Sequence, residues 1–140
     1  MIRFLRRIFT LDQPSPSGVV DPSKISYSRI SETLIIGGLK PPIWITDVAD
    51  TNSMDGLFDK GDRVVVTASF DRNKLGVGDV VIFQPDDYEG TIIHRIVKIG
   101  KDEYGRWYRT QGDNCIIPDP YKLRNKHIKY LLAVVIYTKK

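Results

Sequence analysis

The residue that most clearly suggests a chemical role is Ser53, in the polar stretch formed by residues 50–62. The stretch lies between two apolar runs and contains two glycines, so the Ser53 hydroxyl is expected at a junction between strands. A serine becomes a nucleophile only when a base removes its proton and a third group orients that base. The sequence must therefore supply a base and an acid further along the chain.

A candidate base is His94, within the β-branched run of residues 91–99. Alternation along a strand places His94 on the same face as Ile92 and Ile96, while Arg95 points to the other face. Imidazole is suited to take a proton from a serine near neutral pH. A histidine on an apolar strand face is more often a core residue, and the residues alone leave both interpretations open.

Two candidate acids, Asp113 and Asp119, follow the strand that contains Trp107. Either carboxylate could orient an imidazole. Aspartates in such turns more often have a structural role, so the spacing alone does not choose between them.

The elements that must position these side chains are short strands bounded by glycine, proline or aspartate clusters. This pattern predicts a mostly β domain of twisted antiparallel sheets or a small barrel. Helix is expected only as single turns near residues 69–75 and 121–129. The predicted strands cover residues 34–36, 43–48, 63–68, 80–83, 91–99, 106–110 and 130–137.

Length and composition fit one globular domain, because 41% of the 140 residues are apolar and 27% are charged. The net charge of +4 permits an anionic partner without requiring one. Cys115 is the single cysteine, so it forms no internal disulfide and no thiolate metal site. We expect no metal and no cofactor.

The N-terminal region differs from the rest of the chain. Residues 1–9 form a short basic amphipathic pattern, expected to be a terminal turn or, alternatively, a weak contact with a membrane surface. Residues 12–31 are rich in proline and serine and predict an irregular or extended segment, either a linker or an arm along the surface. We place the arm at residues 1–32 and the folded domain at 33–140. No apolar run of about 18 residues occurs, so a soluble, cytoplasmic protein is expected.

Four sequence blocks resemble the signal peptidase I superfamily, which includes the LexA-type self-cleaving repressors. The blocks stand in the order seen in that superfamily and span about residues 43–137. The His-Arg pair is similar to the archaeal and endoplasmic-reticulum signal peptidases, which have histidine where bacterial enzymes have lysine. The blocks are Thr51-Asn52-Ser53-Met54 with Gly61-Asp62, then Gly78-Asp79 to Phe83, Ile93-His94-Arg95-Ile96, and Gln111-Gly112-Asp113-Asn114 with Asp119.

The resemblance implies the mostly β, LexA/signal-peptidase-like fold and a role for each matched residue. Ser53 is then the nucleophile and His94 its general base. Asp119 is favoured over Asp113 as the acid that orients His94. The Thr51 hydroxyl and the Ser53 N–H are implied as the oxyanion donors.

Some features depart from the family pattern. Asn52 stands where a glycine or another small residue is usual, and Gly56 stands where proline is common. The lack of an apolar span argues against housekeeping removal of secretory signals. The N-terminal residues cannot form the helix-turn-helix of a self-cleaving repressor. We therefore expect a stand-alone serine endopeptidase.

The expected substrate is an extended peptide or protein segment. It would be held by strand addition along the apolar segment before Ser53 and the strand that ends at Phe83. The alternative function is a catalytically inactive binding or scaffold module that contacts nucleic acid or an acidic partner through four basic residues. Nucleic acid is the less expected partner. These residues are Lys122, Arg124, Lys126 and Lys129.

Overall fold

The computed structural model describes Pro16 and residues 18–138 and contains eight strands in this part of the chain. The predicted mostly β fold with antiparallel sheets is confirmed. The strands are β1 (Ile25–Ser28), β2 (Thr33–Ile36), β3 (Ile43–Asp47), β4 (Arg63–Thr67), β5 (Val80–Phe83), β6 (Ile92–Asp102), β7 (Gly105–Gln111) and β8 (Ile128–Ile136).

The strands form a two-stranded hairpin, β1–β2, and a six-stranded sheet in the order β3-β4-β8-β5-β6-β7. Every pairing in both sheets is antiparallel. Strand β5, which ends at Phe83, is paired on both sides and has no free edge for a substrate strand. The expectation that this strand binds substrate by strand addition is therefore wrong. Strand β3, before Ser53, is at the end of the sheet, and its outer edge pairs with no other strand of residues 18–138.

The six-stranded sheet separates two apolar clusters. Because successive side chains of β5 point to opposite faces, Val81 and Phe83 join the first cluster, while Val80 and Ile82 join the second. The first cluster also holds Leu75, Ile96, Tyr108, Leu123, Ile128 and Leu131, and the second holds Met54, Phe58, Val64 and Val66. Loops on the two sides are thereby fixed to one rigid sheet.

Seven of the eight strands match sequence predictions, and β1 does not. Residues 12–31 were expected to be irregular or extended, and within them Ile25–Ser28 is a strand that pairs with β2 across a tight turn. The pairing gives the backbone hydrogen bonds that a polar, proline-flanked segment cannot make alone. This hairpin contains residues from both sides of the boundary placed between 32 and 33. The amphipathic segment 1–9 lies outside the described residues.

The helical turn expected near residues 69–75 is present as a 3-10 turn at Arg72–Lys74, capped by the Asp71 carboxylate. The helical turn expected near residues 121–129 is not observed, because the first part of this segment is extended. Leu123 exchanges two backbone hydrogen bonds of 2.9 Å with Tyr108, which keeps this segment extended alongside β7. Only a hydrogen-bonded turn at residues 125–127 follows before β8.

Candidate active site

Ser53 begins a tight turn whose position is fixed by two buried side chains. Met54 and Phe58 lie in the second apolar cluster, and the Phe58 N–H donates to the Met54 carbonyl at 3.2 Å. Asn52, immediately before the serine, has a left-handed backbone with φ of 54°. The Ser53 Oγ lies 3.1 Å from Thr51 Oγ1. The turn thus presents the hydroxyl at the surface of a packed element.

His94 lies in β6 and is 8% exposed. As expected, it shares the face of Ile92 and Ile96, which belong to or pack against the first apolar cluster. Its Nδ1 lies 2.8 Å from Asp119 Oδ2. The same carboxylate oxygen accepts a hydrogen bond of 2.6 Å from the Thr110 hydroxyl. A histidine with one nitrogen bound to a carboxylate has its other nitrogen directed away from that partner.

The turn after β7 brings the serine and the histidine together. Asn114 donates from its backbone N–H to the Ser53 carbonyl and from its side-chain amide to the Asn52 carbonyl, both at 2.9 Å. A Cβ atom placed on Gly112 would lie 2.5 Å from the Ser53 carbonyl oxygen and 2.9 Å from His94 Nε2. Glycine is therefore needed where the serine turn and the imidazole approach each other.

Asp113 does not contact His94. Both of its carboxylate oxygens bind the Arg95 guanidinium, at 2.8 Å from Nε and 2.6 Å from Nη2. Arg95 also donates to the Gly78 carbonyl at 2.8 Å. Because neighbouring strand residues face opposite sides, His94 and Arg95 carry the two aspartates to different faces of β6. The structure thus separates the two candidate acids by partner.

The Ser53 hydroxyl faces Thr51 in this structure. Across the described part of the chain, Thr51 Oγ1 is its hydrogen-bond partner, and no hydrogen bond joins Ser53 Oγ to the imidazole. The Ser53 N–H has no acceptor among the described residues. The serine region therefore has one unused donor, next to a hydroxyl that can rotate.

The surroundings favour the charged forms of Asp119 and Arg95. Burial raises the pKa of Asp119, but the hydrogen bonds from His94 and Thr110 lower it by a larger amount. The net pKa therefore lies below the ordinary value. The hydrogen bond to Asp113 raises the pKa of Arg95 despite its partial burial. Residues 16 and 18–138 contain no group of three or more histidine, cysteine, aspartate or glutamate side chains that could hold a metal ion.

Sequence reasoning named Ser53, Thr51, His94, Asp113 and Asp119, and the structure brings all five around β6 and the turn after β7. Sequence reasoning did not identify the contacts that Thr110 and Asn114 make in this site. A threonine inside a strand is typical of β structure, and nothing in its type indicated a bond to Asp119. Asn114 belongs to the Gly-Asp-Asn block, and this block is the sequence signal that could have indicated its role in holding the serine turn.

Comparison with known proteins finds distant similarity to catalytic subunits of the signal peptidase complex. The signal peptidase complex catalytic subunit SEC11C of Homo sapiens is 28% identical over 87 residues, which are 61% of this chain and 43% of that protein. The catalytic subunit sec11 of Schizosaccharomyces pombe is 30% identical over 116 residues, covering 67% of this chain and 61% of the relative. The chain is thus distantly similar to signal peptidase catalytic subunits.

This similarity supports placement in the signal peptidase-like superfamily. It covers only part of the chain and part of each relative. The chain spans less than two thirds of the length of these relatives. No family model matches the chain, and no solved structure matches it significantly. Within the described ranges, no helix has the length and apolar character needed to cross a membrane.

The four basic residues of the alternative function have partners within the molecule. Lys122 and Arg124 both bind Asp102, at 2.5 Å and 2.8 Å, and Lys126 binds Asp86 at 2.9 Å. The Lys129 ammonium group donates to the Lys126 carbonyl at 3.4 Å. The carboxylates of Asp102 and Asp86 therefore offset two of the four positive charges.

Proposed function

We propose that this protein is a serine endopeptidase in which Ser53 is the nucleophile, His94 the general base and Asp119 the acid that orients His94. The observation that carries the proposal is the arrangement around Gly112. There, the imidazole whose Nδ1 is bound to Asp119 has its Nε2 beside the Ser53 turn. The distant relationship to signal peptidase catalytic subunits supports a peptidase at the family level.

Catalysis begins when the Ser53 side chain turns from Thr51 toward His94 Nε2. A serine hydroxyl moves between staggered positions by rotation about the Cα–Cβ bond. Hydrogen bonds of catalytic groups are often looser before substrate binds and tighten in the complex. The Asn114 contacts hold the backbone of the turn while the hydroxyl rotates.

In the acylation step, His94 Nε2 takes the Ser53 proton as Oγ bonds to the carbonyl carbon of the substrate peptide. The carbonyl oxygen becomes an oxyanion, which the Ser53 N–H and the Thr51 hydroxyl stabilise. The imidazolium then protonates the amide nitrogen as the C–N bond breaks. Asp119, already ionised, stabilises the imidazolium through Nδ1. Asp113 supports the site through Arg95 and has no proton-transfer role.

In the deacylation step, water gives a proton to His94 as its oxygen bonds to the acyl carbon, and the Ser53–acyl bond then breaks. The proton returns from His94 to Ser53 Oγ. The substrate class we propose is an extended peptide segment, because β3, which precedes Ser53 in the chain, is an edge strand among the described strands. We place this activity in the cytoplasm, with residues 1–9 as a candidate for weak contact with a membrane surface.

The first test is acylation by p-nitrophenyl acetate, followed as the burst of p-nitrophenol release and by peptide mapping of the acetylated residue. We expect Ser53 to be acetylated in the wild type and no burst in Ser53→Ala. His94→Ala should slow acylation by about a hundredfold or more, the usual contribution of a general base. The matched control is His127→Gln, because His127 is also buried and bound to a carboxylate, that of Asp86, outside this site.

The second test uses a mixture of defined peptides, with products read by mass spectrometry, to distinguish an endopeptidase from a simple esterase. Cleavage within peptides that depends on Ser53 and His94 supports the proposal. A folded wild type that shows neither acetylation of Ser53 nor cleavage between about pH 6 and 9 would overturn it.

A further inference from the structure

Thr110 is fully buried, at 0% exposure, and is not among the residues matched to a catalytic role. It lies near the end of β7 and pairs with Ile96 of β6. Cross-strand partners share a face, and Ile96 shares a face with His94, so Thr110 and His94 point to the same side of the sheet. The rigid sheet thus holds the threonine hydroxyl near the imidazole.

Asp119, in contrast, lies on a connecting segment between Pro118 and Pro120, outside any strand. Its position depends on contacts to two neighbouring residues of β7. The Asp119 N–H donates to the Thr110 carbonyl at 2.8 Å, and Arg109 Nη1 donates to the Asp119 carbonyl at 3.1 Å. The Thr110 hydroxyl then binds Oδ2 at 2.6 Å. Backbone and carboxylate are therefore both anchored to β7.

One oxygen of the carboxylate carries both side-chain contacts. His94 Nδ1 and Thr110 Oγ1 both approach Asp119 Oδ2, at 2.8 Å and 2.6 Å. The terminal torsion of an aspartate has a broad energy minimum, so one hydrogen bond alone leaves the carboxylate free to rock. Threonine is β-branched and stiff at its first torsion, which makes it a firm second donor.

We propose that Thr110 is a positioning residue that holds Asp119 Oδ2 in place against His94. This inference rests on the proposed peptidase function and adds a residue to its machinery. Among the described residues the Thr110 hydroxyl donates to Asp119 and not to Ser53, so in this proposal it acts through Asp119. The Thr110 hydroxyl also donates one of the two side-chain hydrogen bonds that lower the pKa of Asp119; His94 makes the other.

The test compares Thr110→Val, which removes the hydroxyl and keeps the shape, with Thr110→Ser, which keeps the hydroxyl. With p-nitrophenyl acetate, the valine variant should lower the acylation rate constant about tenfold or more, the loss expected for one hydrogen bond to a charged group. The concentration of ester giving half the maximal acylation rate should not change. The serine variant should stay within about threefold of the wild type.

A second measurement does not depend on activity. Carbon-detected NMR of the Asp119 carboxyl should show its titration midpoint at higher pH in Thr110→Val than in the wild type, because one bond favouring the ionised form is gone. The effect of the valine change on acylation should also vanish in an Asp119→Asn background, since a residue acting through Asp119 has nothing left to position.

The outcomes separate the two proposals. A wild type that is not acylated contradicts the proposed function, and the Asp119 titration then decides the role of Thr110 alone. A folded Thr110→Val protein with unchanged acylation and an unchanged Asp119 titration overturns the positioning role and leaves the peptidase proposal standing. If the valine variant does not fold, Thr110→Cys replaces it, because a thiol is a weaker donor of similar size and the same shifts are expected.

Discussion

At the residue scale, the departures from the family pattern match the backbone on which they lie. Asn52 has a φ of 54°, in the left-handed region that glycine occupies freely and asparagine tolerates better than most residues. Gly56 has a φ of 102°, where proline, fixed near −65°, cannot fit. The serine turn of this chain therefore has its own geometry, which these two residues make accessible without a large strain.

Gly112 offers the sharpest test of a single position. In Gly112→Ala the new methyl would lie 2.5 Å from the Ser53 carbonyl oxygen, 2.7 Å from Cys115 Sγ and 2.9 Å from His94 Nε2. The carbonyl belongs to backbone held by Asn114, so it cannot yield easily. We expect a loss of about 1–3 kcal/mol in the free energy of unfolding and a strong loss of Ser53 acylation.

Urea unfolding and the p-nitrophenyl acetate burst measure these two effects. Gly76→Ala is the matched control, because its nearest neighbour would be Asp79 Oδ2 at 3.9 Å, an ordinary contact. Equal behaviour of the two variants would show that the serine turn and the imidazole do not approach each other at Gly112.

At the element scale, the segment from Gly112 to Leu123 does most of the positioning. It leaves β7, binds the serine turn through Asn114, supplies Asp113 to Arg95 and Asp119 to His94, and returns to pair with Tyr108. The residue types and spacing could indicate two carboxylates in this segment but not their partners, and only the family resemblance favoured Asp119 as the partner of His94. The position of Asp119 depends on its contacts to Thr110 and Arg109 of β7, which have no local sequence signal.

The division between the two aspartates predicts opposite phenotypes. Asp119→Asn should lower acylation by about a thousandfold or more, because an amide neither holds the imidazole tautomer nor stabilises the imidazolium. Asp113→Asn should instead lower the free energy of unfolding by about 3 kcal/mol, because it leaves the Arg95 charge poorly compensated. The side chains of Arg95 and Asp113 are only 10% and 15% exposed.

Acylation kinetics and urea unfolding of both variants provide the measurement, and each variant is the control for the other. If Asp113→Asn abolished acylation while remaining as stable as the wild type, the assignment of the acid would have to pass from Asp119 to Asp113.

At the scale of the whole molecule, the strands were predictable because β-branched runs alternate with turn residues over most of the chain. The buried run Val80–Phe83 illustrates the limit of that approach. Its composition predicts a strand, but only the sheet order shows that it is interior and unable to accept another strand. In the same way, Ile25–Ser28 becomes a strand through its partner β2 and not through its own composition.

The whole molecule also couples the site to acid stability. Burial raises the pKa of Asp119, but the hydrogen bonds from His94 and Thr110 outweigh this effect and bring the net pKa below the ordinary value of an aspartate. The folded state therefore binds this proton less readily than the unfolded chain does. Such a group contributes stability that is present above its unfolded pKa and is lost as pH falls through its folded pKa.

We therefore expect the free energy of unfolding to decrease as pH falls below about 4, with Asp119 contributing to the slope. Replacing Asp119 by asparagine should make that decrease shallower, because the amide does not titrate. The number of protons taken up on unfolding should fall by up to one. Urea unfolding from about pH 2 to 7 measures the slope. Asp87→Asn, at an exposed turn position, is the control and should keep the wild-type slope. An unchanged slope in Asp119→Asn would mean that the carboxylate gains no stabilisation from His94 and Thr110 on folding.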